Sequence, residues 1–221
     1  MGEFSTPLQA RSQATLERIL DAMEDLLRER PLANISVTDL CNLAEVSSSS
    51  LYLRFRTKEA MLSAVAERLD GYRSQMIAQG MSLFFNEDGV VTDIDWEKVV
   101  ELLLRYWRQY GILERRVFEV PSVGSKSIPS VRKLEDSVSG ILADLYGLDG
   151  AQSRDRLLFL IRTVLEVVER HVLESEEGNK RGVHSPNFVR HTALLISRFL
   201  AFEQQEMLDP KSGYLRPVLA S

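Results

Sequence analysis

Residues 36–58 have the sequence SVTDLCNLAEVSSSSLYLRFRTK, which contains the start signals of three successive helices. A serine followed three residues later by an acid, Ser36 and Asp39, is a capping box that begins a helix. Ser47 is the corresponding cap of a second helix, because its hydroxyl can accept a hydrogen bond from the first turn. Thr57 is placed to cap a third helix in the same way. The stretch therefore predicts two short helices, a tight turn between them and the start of a third.

The second of these helices has one apolar face and one open face. Val46 precedes the cap and can pack on Leu51, and Phe55 lies one turn further along the inward side. A step of 100° per residue from Leu51 also places Ser48 inward. The same step places the other residues as follows: Ser49, Ser50 and Leu53 outward, Tyr52 on one flank and Arg54 on the other. This is the arrangement of a helix-turn-helix DNA-binding motif, whose second helix enters the major groove.

Four motifs in this region resemble the TetR family of transcriptional repressors: ISVTDL at 35–40, AEVS at 44–47, LYLRF at 51–55 and TKEAML at 57–62. The resemblance covers roughly residues 10–69. It implies a three-helix DNA-binding domain followed by a helical ligand-binding and dimerisation domain, in a protein that usually represses transcription. In the family, the tyrosine and lysine that match Tyr52 and Lys58 contact the DNA backbone.

The chain departs from the family pattern in two ways. The turn usually holds a glycine where this chain has Glu45, so either Glu45 adopts a non-helical conformation at some cost or the turn differs slightly. The aromatic residue or histidine that often follows the tyrosine is replaced by Leu53 and Arg54. The base preference of the family is therefore not transferable to this chain.

Eight residues are predicted to contact DNA. Leu53 suits a thymine methyl or a sugar, and the hydroxyls of Thr38 and Tyr52 can donate to phosphate. The serines can bond to several bases, and Lys58 adds its charge to the free amides of a helix N-terminus. The full set is Thr38, Ser48, Ser49, Ser50, Tyr52, Leu53, Arg54 and Lys58.

Composition indicates a globular protein without an internal disulfide. The chain has 221 residues, of which 44% are hydrophobic and 27% charged, enough for one large domain or two modest ones. Cys41 is the only cysteine and occupies an apolar helix position, so we expect a buried, reduced thiol. No apolar run approaches the ~20 residues that span a bilayer, and the N-terminus lacks a signal pattern. We therefore expect a cytoplasmic protein with no membrane contact.

The overall charge does not by itself favour a nucleic-acid partner. The net charge is −5, and residues 1–70 contain eight Arg and Lys against eleven Asp and Glu, a net charge of −3. Residues 46–58 nevertheless contain Arg54, Arg56 and Lys58 and no acid. Attraction to phosphate acts over a Debye length of ~10 Å, so a local basic rim suffices if the acids face away from DNA.

Helical periodicity continues almost to the C-terminus and predicts an all-α protein of about nine helices. Proline, glycine and polar residues separate them, and residues 1–10, 121–129 and 174–187 are expected to be loops. The expected helices are 11–30, 36–44, 47–53, 58–80, 95–110, 112–120, 130–146, 153–173 and 187–207. The expected domains are a helix-turn-helix domain at 10–57, a helical effector-binding and dimerisation domain at 58–207, and a C-terminal tail at 208–221.

Aromatic residues concentrate between residues 84 and 118, which indicates an effector pocket. An apolar pocket with few polar groups suits an apolar or amphipathic small molecule. Each aromatic residue taken alone is more often part of a core than of a ligand wall. The candidate ligand-binding residues are Phe84, Trp96, Leu103, Tyr106, Trp107, Tyr110 and Phe118.

The last two helices are apolar over more than the ~100° of surface that covers one core. The surplus face predicts a homodimer through a four-helix interface, which the resemblance also implies. A two-fold dimer would place two second helices on a palindromic operator in double-stranded DNA. The alternative is that both helices are central in a monomer. The candidate dimer contacts are Leu157, Ile161, Val164, Val168, Leu195, Phe199 and Phe202.

Two other classes of function fit the sequence less well. The three histidines, His171, His184 and His191, have no partner at metal-binding spacing, and no phosphate-binding or nucleophile motif occurs, so we expect no enzyme, cofactor or metal site. A helical protein-interaction scaffold that has lost DNA binding is the alternative, supported by the acidic balance and by Glu45. The favoured function is a DNA-binding transcriptional regulator, a ligand-released repressor that acts as a homodimer.

Overall fold

The computed structural model of the protein describes residues 7–85, 94–148, 150–176 and 187–208. These residues form eight α-helices and one 3-10 helix at Leu32–Asn34, which confirms the all-α prediction. The helices are α1 Pro7–Glu29, α2 Val37–Ala44, α3 Ser48–Arg54, α4 Lys58–Met81, α5 Trp96–Phe118, α6 Pro121–Tyr146, α7 Ala151–Glu176 and α8 Phe188–Leu208. Among these helices none is both long and apolar enough to cross a membrane.

The first helix begins earlier than the sequence pattern predicts. Residues 7–10, expected to belong to a loose arm, are already helical. Pro7 is compatible with this start, because a proline in the first turn lacks only an N–H that has no helical partner there. The rest of the expected arm lies outside the described residues, as do most of the loop expected at 174–187 and nearly all of the tail expected at 208–221.

Helix α5 is one element where two were expected. It continues through Gly111, which was expected to interrupt it. A glycine in a helix interior weakens it by about 1 kcal/mol relative to alanine, and the burial of Leu113 and Val117 beyond Gly111 outweighs that loss. The separate helix expected at 112–120 is therefore wrong.

Helix α6 includes the segment that was expected to be a loop at 121–129. Pro121 occupies the first helical position, where a proline favours rather than ends a helix. Gly124 serves close packing: a Cβ atom there would lie 2.9 Å from the Cα of Phe118 at the end of α5. Proline and glycine therefore mark the tight turn between α5 and α6, and the helix is continuous through Pro129. As expected, it stops at Gly147, which has a φ of +62°.

The chain divides into two compact units. The N-terminal unit comprises residues 1–75 and 108–130, and the C-terminal unit comprises residues 76–107 and 131–221. Because these limits fall inside α4, α5 and α6, each of the three helices contributes to both units. The domain limits expected from the sequence stay predictions.

Each unit has its own apolar core. In the N-terminal unit, residues of α1 to α4 are joined by Leu113, Val117 and Val123 from α5 and α6. Cys41 belongs to this core and is a buried, free thiol, as expected. The C-terminal core is built mainly from α5 to α8 and includes the fully buried Leu157. The N-terminal core fixes the helix-turn-helix, and the C-terminal core surrounds the cavity described below.

Candidate functional site

Local capping hydrogen bonds define the ends of the helices in the helix-turn-helix. Ser36 Oγ accepts from Asp39 N at 3.1 Å and Asp39 Oδ2 accepts from Ser36 N at 3.1 Å, which confirms the predicted capping box of α2. Ser47 Oγ accepts from Ser50 N at 3.1 Å at the start of α3. Thr57 Oγ1 accepts from Ala60 N at 3.1 Å at the start of α4. Partners three residues apart therefore position all three helices.

The hydrogen bonds of the capping box also change the acidity of Asp39. The bonds from Ser36 hold the pKa of this carboxyl below its usual range, with a smaller contribution from Arg30. Arg30 forms an ion pair with Asp39 at 3.1 Å. The cap is therefore in its bonded, ionised form at neutral pH.

Glu45 closes α2 in a left-handed conformation. Its φ is 53° and its ψ is 47°. Among the residues that the structure describes, it is the only non-glycine residue with a positive φ. Its N–H bonds to Asn42 O, and the Val46 N–H bonds to Cys41 O at 3.0 Å, the pair of bonds that defines a Schellman motif. Of the two alternatives left by the sequence, the structure shows the non-helical glutamate.

The exposed face of α3 is small and chemically simple. Leu51 is fully buried and Phe55 is buried beneath the helix, whereas Leu53 is 84% exposed and Tyr52 is about half exposed. The predicted contact residues Ser49 on α3 and Thr38 on α2 are exposed as well. An exposed leucine beside hydroxyl groups can contact thymine methyls, bases and phosphates in a major groove.

Two serines differ from the predicted helical wheel. Ser48, expected on the inward side, is exposed because it lies in the first turn, before the helix reaches the core. Ser50, expected outward, is half-buried because the Arg54 side chain folds back over it, with Arg54 Nη1 donating to Ser50 Oγ at 3.2 Å. The open polar groups of α3 are therefore Ser48, Ser49 and Tyr52.

Two of the three basic residues near α3 are engaged inside the protein. The Arg54 guanidinium donates to Ser50 and Ser12, and Lys58 Nζ donates to Leu32 O at 3.2 Å and Ile35 O at 2.9 Å. Lys58 thus joins the start of α4 to the connection between α1 and α2. Arg56 is exposed. The predicted DNA contacts of Arg54 and Lys58 stay predictions.

Several acidic residues of the N-terminal unit form ion pairs with arginines. Arg68 on α4 pairs with three acids of α1, Glu17, Asp21 and Glu24, at 2.8 Å for Asp21 and 3.0 Å for Glu24. The buried Arg73 pairs with the buried Glu114, the Nη1 to Oε2 distance being 2.9 Å. These pairs leave the net charge of −3 in residues 1–70 unchanged, because it already counts Arg68, but they hold the negative charges of Glu17, Asp21 and Glu24 close to a positive one.

The C-terminal unit contains an apolar cavity of about 130 Å³. Its wall includes three of the predicted ligand-binding residues, Phe84, Trp96 and Leu103. The remaining described lining residues are Met76, Ile77, Gly80, Met81, Val99, Leu102, Val138, Leu142, Leu160, Ile161, Val164, Leu165 and Ile196. No charged or hydroxyl side chain belongs to this described lining, so the cavity suits an uncharged, apolar molecule or part of one.

Four predicted ligand-binding residues lie elsewhere. Tyr110 stacks on Tyr72 in the N-terminal unit, with ring centroids 4.3 Å apart. Tyr106 is buried and packs edge-on against Trp107. Phe118 is partly exposed at the end of α5. Aromatic clustering in the sequence therefore located α5 beside the cavity, but not the residues that line the cavity. Most of those are aliphatic, and nothing in the sequence distinguishes them from core residues.

The predicted dimer contacts divide into core and surface residues. Leu157, Val164 and Val168 are buried within the protomer, so they have no surface to offer a partner. Ile161 lines the cavity, as does Val164. Helices α7 and α8 instead expose a different apolar set, which includes two predicted residues, Leu195 and Phe202, and adds Phe159, Val167 and Leu194. The half-buried Phe199 lies with Leu194, Leu195 and Phe202 in a groove that His191 and Arg198 also line.

These features define a helix-turn-helix protein with a helical second unit. Residues 19–65 match the model of the bacterial regulatory proteins of the tetR family. This match confirms the resemblance to the TetR family that the sequence motifs carry, for the N-terminal helix-turn-helix domain.

Known relatives share the domain or the fold. The HTH-type transcriptional regulator EthR of Mycobacterium tuberculosis is 34% identical over 32% of this chain and 40% of its own length, so the match spans less than half of that relative. A TetR-family member from Streptomyces coelicolor A3 has a TM-score of 0.55 at 14% identity, over 84% of this chain and 97% of its own. The fatty acid degradation regulator FadR of Bacillus halodurans has a TM-score of 0.54 at 17% identity, over 87% and 97%. At these identities the structural likeness concerns the fold alone.

Proposed function

We propose that the protein is a DNA-binding transcriptional regulator, a ligand-released repressor that acts as a homodimer on a palindromic operator. The observation that carries this proposal is the exposed face of α3. Leu53 is a strongly exposed leucine on a helix whose opposite side is fully buried at Leu51. An exposed apolar side chain of this size can contact thymine methyl groups when the helix enters a major groove.

The electrostatics of the region support the same proposal. No acid occurs between Val46 and Lys58, and Arg56 is exposed beside α3. The acids of α1 that face α4 are paired with Arg68. Thr38 and Tyr52 add exposed hydroxyl groups that can donate to phosphate, which fixes the position of the helix on the duplex.

A homodimer is the second part of the proposal. A seven-residue helix contacts only a few base pairs, and a two-fold dimer doubles the recognised sequence. The exposed apolar side chains of α7 and α8, among them Phe159, Leu194 and Leu195, offer a surface for it. Isologous packing of these two helices on their copies gives a four-helix interface.

Release by a ligand is the third part. The apolar cavity supports an uncharged effector that is apolar over the part it buries. Such a ligand would act by a population shift, if it binds more tightly to a conformation of the dimer in which the two copies of α3, the recognition helices, no longer fit the operator. A regulator of this kind acts where the DNA is, so a cytoplasmic location belongs to the proposal.

Binding to mixed genomic DNA at low salt separates the regulator from a helical scaffold that has lost DNA binding. The wild-type protein is expected to bind, with an affinity that falls as salt rises. Tyr52→Ala should weaken binding to all sequences by a similar factor with little change in its salt dependence, because the lost phosphate contact is a hydrogen bond from an uncharged hydroxyl. The control is Tyr106→Phe at a buried position of the C-terminal unit, which should bind like wild type. Absence of binding by the wild-type protein would favour the scaffold.

A further inference from the structure

Arg54 makes a network of hydrogen bonds between the recognition helix and α1. Its Nη1 donates to Ser50 O at 3.0 Å and to Ser50 Oγ at 3.2 Å. Its Nη2 donates to Ser12 O at 3.3 Å and to Ser12 Oγ at 3.3 Å. One guanidinium therefore spans two serines that are 38 residues apart in sequence, one on each helix.

A helix as short as α3 depends on such external contacts. Seven residues are far fewer than the ~12–15 that an isolated helix needs in water. Leu51 and Phe55 are the residues of 48–55 that belong to the core, so a contact on the flank of the helix adds to the few that hold its orientation. Arg54 lies on this flank, where its bonds to α1 oppose rotation.

The same bonds remove Ser50 from the open face. The Ser50 hydroxyl is half-buried under the guanidinium that it bonds to. Without that bond, Ser50 would present an additional donor and acceptor beside Ser49, and serine hydroxyls bond to several bases without distinguishing them. The Arg54 bonds thus limit the polar groups that α3 presents.

We propose that Arg54 is a positioning residue that sets the orientation of the recognition helix against α1 and so contributes to sequence discrimination, rather than a phosphate ligand. This inference rests on the proposed DNA-binding function. Arg54 acts through Ser50 and Ser12 and makes no contact with DNA of its own. Loss of Arg54 therefore lowers affinity for the selected operator more than affinity for unrelated DNA.

The test measures affinity for a selected operator and for an unrelated duplex over a range of salt concentrations. The proteins are wild type, Arg54→Ala, Arg54→Lys, Ser12→Ala and the double variant of Arg54→Ala with Ser12→Ala, each checked for folding by its thermal transition. Lysine keeps the charge but cannot bond to both serines, because its single ammonium lacks the planar fork of donors. Ser12→Ala removes an acceptor at an exposed position, so it keeps the test valid if Arg54→Ala fails to fold.

We expect Arg54→Ala and Arg54→Lys to lower operator affinity about tenfold, which corresponds to the loss of a few weak hydrogen bonds. Ser12→Ala should lower it about threefold, which corresponds to the loss of one. The double variant should be no weaker than Arg54→Ala, because both changes break the same bonds. The slope of log affinity against log salt should stay within about 0.3 of the wild-type slope.

Two results would overturn the inference while leaving the proposed function intact. One is recovery of wild-type affinity by Arg54→Lys, together with a salt slope reduced by about 0.9 in Arg54→Ala, as expected for one lost phosphate contact. The other is independent, multiplying effects of Arg54→Ala and Ser12→Ala. If the wild-type protein selects no operator at all, the proposed function fails and the inference fails with it.

Discussion

At the residue scale, Glu45 carries a conformational strain that a glycine would not have. A left-handed conformation costs an L-residue roughly 1–2 kcal/mol, whereas glycine adopts it freely. The conformation is held by the Schellman bonds of Glu45 and Val46 at the end of α2. The turn between α2 and α3 thus keeps its geometry at the expense of stability.

Glu45→Gly is therefore expected to stabilise the protein. The relief of strain is partly offset by the greater freedom of glycine in the unfolded chain, which leaves a net gain of about 0.5–1 kcal/mol in the free energy of unfolding. Denaturant unfolding measures this difference. Glu45→Ala is the matched control, because it removes the charge but keeps the Cβ atom. Equal stabilisation by both variants would mean that the charge, and not the backbone, is responsible.

The sequence predicted the residues whose partners are close in the chain. Ser36, Ser47 and Thr57 each bond to an amide three residues ahead, and such bonds depend on local spacing alone. Arg54 and Lys58 bond to residues 23 to 42 positions away, so their partners depend on how the helices pack. Nothing in the spacing of residues along the chain could predict those contacts.

At the element scale, Gly124 shows why helix breakers in the sequence misplaced the start of α6. Alanine is favoured over glycine by about 1 kcal/mol inside a helix. A Cβ atom at Gly124, however, would approach the Phe118 Cα to 2.9 Å, which requires the backbone to shift. The glycine is present for the close approach of α5 and α6, and only the packed structure reveals that role.

Gly124→Ala is accordingly expected to lower the free energy of unfolding. Overpacking costs about 1–3 kcal/mol, which exceeds the gain in helix propensity. The matched control is Gly71→Ala in α4, where a Cβ atom would meet nothing within 4 Å. That variant should raise stability by about 0.5–1 kcal/mol. Thermal or denaturant unfolding measures both differences in the free energy of unfolding. If Gly124→Ala stabilised the protein, the turn between α5 and α6 would adapt to the Cβ atom without strain.

The cavity is built by the packing of several helices and allows a further prediction. Val99→Phe, which enlarges a lining residue of α5, should abolish or strongly weaken the binding of toluene, an uncharged probe of suitable size for about 130 Å³. Leu103→Met changes the lining with little change in volume and should retain binding. The shift of the thermal transition and the fluorescence of Trp96 report on occupancy. Undiminished binding by Val99→Phe would place the probe elsewhere.

At the scale of the whole molecule, the exposed faces of α7 and α8 were only partly predictable. Apolar periodicity showed that these helices carry more apolar surface than one core needs. Which residues form the core depends on how the helices are rotated against their neighbours, so the predicted set included the buried Leu157 and Val168 and omitted the exposed Phe159. The class of fold, by contrast, followed from periodicity alone.

The proposed dimer depends on that exposed face. Leu195→Glu places a charge on a half-exposed apolar position of α8 and should shift the protein to a monomer in sedimentation at micromolar concentration. Leu43→Glu is the matched control, because Leu43 is equally exposed on α2 in the other unit. It should remain a dimer. A wild-type monomer of 25.1 kDa at that concentration would contradict the dimer.

Selection of bound fragments from random double-stranded DNA tests the proposed function, because it reports DNA recognition and symmetry together. We expect enrichment of an inverted repeat whose half-sites lie one helical turn or a multiple apart, roughly 34–36 Å per turn, so that two copies of α3 meet successive major grooves on one face of the duplex. Failure to enrich any sequence, or enrichment of a site without two-fold symmetry, would contradict the proposed function.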